Sequence, residues 1–135
     1  MTQPWALLAE DNEDMRELLK RVLLREGLKV VEAEDGFELA DSLSLVAASA
    51  APEGPSLVLA DIHMPGRNGL EVISQARAAG LRCPVAILSA FIDDETIAQA
   101  RRAGVDLVLA KPTPLDQLGE KLSCLLRDPR PRSPA

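Results

Sequence analysis

Five short polar signals, each at or just beyond the end of an apolar run, hold the reactive side chains of this sequence. Glu10-Asp11 follows Trp5-Ala6-Leu7-Leu8-Ala9. Asp61 follows Leu57-Val58-Leu59-Ala60, with Met64-Pro65 close behind. Ser89 follows Val85-Ala86-Ile87-Leu88, and Lys111-Pro112 follows Leu107-Val108-Leu109-Ala110. If these runs are parallel strands of one sheet, all the polar groups emerge at the same edge. Three carboxylates, a hydroxyl and an ammonium then converge on one cleft. Carboxylates packed together without a cation repel and raise one another's proton affinity. A hard ion such as Mg²⁺ (or Mn²⁺) relieves that repulsion and takes oxygen ligands. A carboxylate can also accept a phosphoryl group as an acyl phosphate. A cation and an ammonium would neutralise the charge on the group in transfer.

Each signal has an ordinary explanation when taken singly. Glu10-Asp11 suits the N-terminus of a helix, where acids meet the positive end of the dipole. Ser89 could cap the following helix. Lys111 could be a solvated loop lysine. Their joint placement at successive strand ends favours the cleft, with Asp61, at the end of the run without polar alternation, as acceptor and Ser89 bonding a phosphoryl oxygen.

The elements needed to hold such an edge are legible. After the first apolar run, Met15, Leu18, Leu19, Val22 and Leu23 recur at helical spacing, and Gly27 ends that helix. Residues 28–33 read as a second strand and 37–50 as a second helix, followed by the loop Ala51-Pro52-Glu53-Gly54-Pro55-Ser56. Leu57 to Ala60 has no polar alternation, as expected of a strand covered on both faces. A third helix carries Leu70, Val72, Ile73 and Ala76 and is closed by Gly80. Val85–Leu88 is the fourth strand, 93–103 the fourth helix, 105–110 the fifth strand, and Leu115 to Leu126 the fifth helix, with Gly119 inside it. Alternating strands and helices with short connections predict a parallel sheet with helices on both faces. In such sheets the functional crevice lies at the carboxyl ends of the strands. Residues 1–127 are expected to form one domain, and 128–135 a disordered tail rich in Pro and Arg.

Composition narrows the function. The chain has 135 residues, 47% hydrophobic but only 2% aromatic, so its core must be aliphatic. A net charge of −6 argues against direct nucleic-acid binding, which needs a basic face. Cys83 and Cys124 lack metal-ligand spacing and read as reduced thiols. No run approaches the roughly 20 apolar residues of a membrane span, so no membrane association is expected and a cytoplasmic location is.

Four segments together resemble the receiver domain of two-component response regulators: Leu-Leu-Ala-Glu-Asp-Asn at 7–12, Asp-Ile-His-Met-Pro-Gly-Arg-Asn-Gly at 61–69, Leu-Ser-Ala at 88–90 and Gly-Val-Asp-Leu-Val-Leu-Ala-Lys-Pro at 104–112. The resemblance covers about residue 5 to 127. It implies a flavodoxin-like α/β fold of five parallel strands in order 2-1-3-4-5 with five helices. It implies Asp61 as phosphoacceptor, Ser89 as the hydroxyl that moves toward the phosphoryl group, and Lys111 as the partner of the phosphoryl oxygens. Mg²⁺ would be held by Glu10, Asp11, Asp61 and the backbone carbonyl of His63. The donor would be a phosphohistidine on a sensor histidine kinase or histidine phosphotransfer protein. A downstream protein would read the face made by the fourth helix, fifth strand and fifth helix. The domain would be a signalling switch and not a turnover enzyme. A cis bond between Lys111 and Pro112 is also implied.

Two departures stand out. Many receivers carry an aromatic residue three positions before the lysine, where this chain has Val108, so a ring switch in its common form is missing. Phe91, two residues past Ser89, is the nearby ring, and either substitutes for it or merely packs. The side chain of His63 is expected to be an exposed loop group. A phosphatase of the haloacid dehalogenase type would want a second Asp where His63 stands, and no Gly-x-x-x-x-Gly-Lys phosphate loop is present. A phosphorylation-independent interaction module is the remaining alternative.

Overall fold

The computed structural model describes residues 3–49 and 54–127. The expected tail at 128–135 and part of the loop at 51–56 lie outside them. Ten elements alternate: β1 (Trp5–Ala9), α1 (Glu13–Arg25), β2 (Lys29–Ala33), α2 (Gly36–Ser49), β3 (Leu57–Asp61), α3 (Gly69–Ala78), β4 (Val85–Ser89), α4 (Asp94–Ala103), β5 (Leu107–Ala110) and α5 (Leu115–Arg127). The strands form one parallel sheet in the order β2-β1-β3-β4-β5. This is the doubly wound α/β architecture expected.

Local chemistry sets the element ends. Asn12 caps α1 by accepting from the Met15 amide at 2.8 Å, with Glu13 and Asp14 in the first turn. Leu19, Val22 and Leu23 are its buried stripe. Asn68 and Asp93 cap α3 and α4 in the same way. Strand β5 starts at Leu107, two residues later than the sequence pattern predicts. Gly104 takes a left-handed turn (φ 92°) and Val105 N–H still donates to Ala100 C=O at 3.0 Å, so the end of α4 consumes that residue.

Strand alternation sorts the core into two layers. Ala6, Leu8, Leu57, Leu59, Ala86, Leu88 and Leu109 face α1 and α5, against Leu19, Leu23, Leu118 and Leu122. Leu7, Ala9, Val58, Ala60, Val85 and Ile87 face α2, α3 and α4, against Leu39, Leu43, Ile73 and Ala100. Burying one leucine side chain contributes about 2 kcal/mol. Two such layers can therefore carry a polar edge that is costly by itself.

The loop after β3 is fastened to the start of α2. Gly36 N–H donates to Pro65 C=O at 3.0 Å, and a Cβ on Gly36 would collide with the Arg67 carbonyl oxygen. Only glycine fits that approach. At the opposite edge of the sheet, Arg77 of α3 donates to the carbonyls of Gly104 (2.9 and 3.1 Å) and Leu81 (2.9 Å) and to Asp106 (3.0 Å). Asp106 in turn accepts from the Val85 amide at 2.8 Å.

Candidate functional site

The parallel register pairs Ala9 with Ala60, Asp61 with Leu88, and Ser89 with Ala110. Glu10, Asp61, Ser89 and Lys111 therefore end their strands at nearly one level. Parity then divides them. Glu10, Asp61 and Lys111 continue the alternation that faces α1 and α5. Ser89 continues the one that faces α2 to α4.

The first group is ionic. Lys111 Nζ donates to Glu10 Oε1 and to Asp61 Oδ2, each at 2.8 Å. Glu10 is 0% exposed and Asp61 5%. Glu10 Oε2 also accepts from the Asn12 amide at 3.2 Å, and Asp61 Oδ1 from the His63 amide at 2.9 Å. Asp11 is exposed, yet one oxygen from each of Glu10, Asp11 and Asp61 lies within 4.8 Å of the others. One ammonium faces three carboxylates. Burial holds the Glu10 carboxyl above the ordinary carboxylate range, although its bond to Lys111 pulls the other way. Burial opposes the Lys111 charge, but the bonds to Asp61 and Glu10 outweigh it and its pKa lies above the usual lysine value. Buried, mutually repelling oxygens with too little positive charge are a donor set that fits a hard divalent cation.

Lys111 is placed by its own backbone, whose N–H donates to Ser89 C=O at 2.8 Å, and the Lys111–Pro112 bond is cis, as expected. Arg16 of α1 supports the cleft from behind, donating to the Glu10 carbonyl at 2.9 Å while pairing with Glu32 at 3.1 Å and Glu34 at 3.5 Å. In the sequence Arg16 shows only as a polar residue between helical apolar positions. Nothing in its spacing announces that carbonyl.

The second group centres on a hydroxyl. Ser89 is 0% exposed. Its Oγ donates to Phe91 C=O at 2.8 Å, accepts from the Phe91 amide at 3.1 Å, and lies 3.1 Å from His63 Nε2. A hydroxyl has one proton to give. With that proton on Phe91 C=O, His63 Nε2 must be the donor to Ser89. Ser89 does not cap α4, a role taken by Asp93, whose carboxylate accepts from the Thr96 amide at 2.7 Å. His63 is exposed, as expected, but its imidazole also reaches across to β4, which the sequence reading missed. No sequence signal announces this contact: the register sets Asp61 beside Leu88, and His63 lies on the loop past the end of β3. The Phe91 ring is 68% exposed and is not packed away. It is the peptide groups of residue 91 that engage the hydroxyl. Val108 is partly buried against the α2–α4 side of the core.

The family described as response regulator receiver domain matches residues 6–123. The sensory/regulatory protein RpfC of Xanthomonas campestris is 36% identical over 123 residues, which cover 88% of this chain and 16% of that protein. The response regulator MprA of Mycobacterium avium is 33% identical over 129 residues, covering 96% of this chain and 54% of MprA. The chain thus spans between 16% and 54% of the length of these curated relatives. The crystal structure of the phosphorylated cyanobacterial phytochrome response regulator RcpA superposes with a TM-score of 0.74 at 26% identity, over 92% of this chain and 91% of that one. Fold, edge geometry and sequence agree: this chain belongs to the response regulator receiver domain family, the phosphorelay switches of two-component signalling.

Proposed function

We propose that residues 1–127 form a phosphoacceptor switch in which Asp61 takes a phosphoryl group from a phosphohistidine of a sensor histidine kinase or histidine phosphotransfer protein. The observation that carries this reading is Lys111 Nζ held at 2.8 Å from both Glu10 and Asp61 within a three-carboxylate set. An Asp61 carboxylate oxygen attacks phosphorus as the N–P bond breaks, and the donor imidazole keeps the electron pair. Lys111 already touches the acceptor and can follow the negative charge onto the new phosphoryl oxygens. The His63 amide on Oδ1 orients the carboxylate. Glu10, Asp11, Asp61 and the His63 carbonyl would hold Mg²⁺ (or Mn²⁺), which when bound supplies positive charge to the transferring group. Ser89 then exchanges a present partner for a phosphoryl oxygen. The downstream protein reads the face of α4, β5 and α5, and the setting is cytoplasmic. Among the described residues, no helix is long and apolar enough to cross a membrane.

The test is intact-protein mass spectrometry after incubation with acetyl phosphate and Mg²⁺. Wild type should gain one phosphoryl group and Asp61→Asn none. Equal labelling of the two proteins removes Asp61 from the role. A folded wild type that stays unlabelled favours the phosphorylation-independent interaction module instead.

A further inference from the structure

Ser89 has no spare hydrogen-bonding capacity in this structure. Its single proton goes to Phe91 C=O, and its two lone pairs receive the Phe91 amide and His63 Nε2. The side chain is sealed from solvent in this arrangement, with His63 on its outer side. Of the three partners, the Phe91 groups are local backbone two residues away. His63 is the long-range one, 26 positions distant and on the loop that follows Asp61. That loop is fastened to Gly36 through Pro65, so it is a firm anchor. At the position where many receivers carry a ring, Val108 offers no polar group.

We propose that the His63 side chain is a latch that holds Ser89 in its resting arrangement and must release it when Asp61 is phosphorylated. A phosphoryl oxygen can accept only the Ser89 proton that now goes to Phe91 C=O, so the latch opposes switching by pinning the Ser89 oxygen in place and not by taking that proton. Removing it should make the switched state easier to reach. His63 is on this reading a positioning residue, acting through Ser89. The proposal rests on the phosphoacceptor reading, and the experiment separates the two.

His63 is the single histidine of the chain, so ¹⁵N labelling gives one imidazole to follow. In metal-free wild type, Nε2 should carry the proton, and its resonance should shift in Ser89→Ala. Addition of Mg²⁺ and beryllofluoride should produce the same kind of shift in wild type. Titration with beryllofluoride should show about two- to tenfold tighter binding for His63→Ala and His63→Phe, the fold-change expected from losing one hydrogen bond that favours the resting position of Ser89. His63→Gln keeps an N–H donor and should return toward wild type. The gain should vanish when His63→Ala is combined with Ser89→Ala. An imidazole blind to Ser89→Ala overturns the latch. So does unchanged beryllofluoride affinity in both His63→Ala and His63→Phe, or a gain that survives in the Ser89→Ala background. Failure of wild type to take label from acetyl phosphate, with the Ser89-dependent imidazole signal intact, overturns the phosphoacceptor reading, and the latch's signalling role goes with it.

Discussion

Glu10, Asp61 and Lys111 meet on one side of the sheet edge, while Ser89, His63 and Phe91 meet on the other, and the two groups are built by opposite means. The ionic group joins residues 50 and 101 positions apart through one ammonium. It is under-neutralised, with three carboxylates against that ammonium, a set that could hold a divalent cation. The hydroxyl group is partly local, and its hydrogen bonds are all made. One edge therefore holds a side with uncompensated charge and a side with none of its hydrogen-bonding capacity spare. Strand parity is what keeps them apart: one residue's difference along β4 sends Ser89 to the face opposite Asp61.

Substitution at Lys111 should separate the two sides most sharply. Lys111→Met leaves buried Glu10 and Asp61 without their counter-charge. Removing one partner of a buried pair costs about 3–5 kcal/mol. Part of Lys111 remains in solvent and Glu10 can take up a proton, so a loss of about 3 kcal/mol in metal-free urea unfolding is expected. A loss under about 1 kcal/mol would mean that charge pairing is not what organises this side.

Metal should act chiefly on the ionic side. At a hundredfold excess over its dissociation constant, Mg²⁺ should stabilise the fold by about 2.7 kcal/mol, read as a rise in melting temperature. Asp61→Asn removes one of three repelling carboxylates. It should raise the metal-free melting temperature and shrink the response to Mg²⁺. Ser89→Ala, by contrast, should cost about 1–2 kcal/mol through the Phe91 groups it abandons, by the same amount with or without Mg²⁺. A Ser89→Ala loss that disappears in Mg²⁺ would join the two sides into one.

Protons distinguish them as well. The folded-state pKa of Glu10 lies above its unfolded value. Between those values the native protein binds more protons than the unfolded chain, so stability falls as pH rises through that interval. Glu10→Gln should flatten the slope in metal-free denaturation across the carboxylate range. Lys111 is raised too, so its contribution is complete below the unfolded lysine value and is lost as pH climbs through the folded one. The Ser89→Ala deficit should be the same at every pH in both intervals. The smallest effect is expected of Phe91→Ala. Its exposed ring predicts a stability change within about 0.5 kcal/mol, with acetyl phosphate labelling kept and partner affinity reduced. A loss above 1 kcal/mol would show that the ring packs after all.

Most of the ionic side was legible because it depends on two robust patterns, apolar runs and what ends them. Glu10, Asp61 and Lys111 each sit at or one step past the end of an apolar strand, so correct strands put them together without any knowledge of side-chain geometry. The strand order came from family resemblance and not from the runs themselves. The hydroxyl side was half legible. Ser89 was located, but its partners depend on how the loop after Asp61 folds, and that loop is held by the close approach of Gly36 to Arg67, which no local pattern announces. Arg16 was hidden for the same reason, since its target is a backbone carbonyl. The late start of β5 was missed because an apolar Val105 reads as strand while its amide still belongs to the turn of Gly104.

The bracket formed by Arg77 at the far edge has a consequence for how opening is distributed along the sheet. It ties α3, the turn at Gly104 and Asp106 into one unit, and Asp106 secures the first amide of β4. That end of β4 and β5 has no cheap local excursion available. Amide hydrogens of Val85 and Leu107 should accordingly exchange with solvent deuterium only on the slowest, whole-molecule timescale. The other ends of the same two strands, from Ser89 to Phe91 and around Lys111, lie outside that bracket and should exchange far sooner. A gradient of protection running along each strand, steep over four or five residues, would mark where this domain is fixed and where it is free to respond.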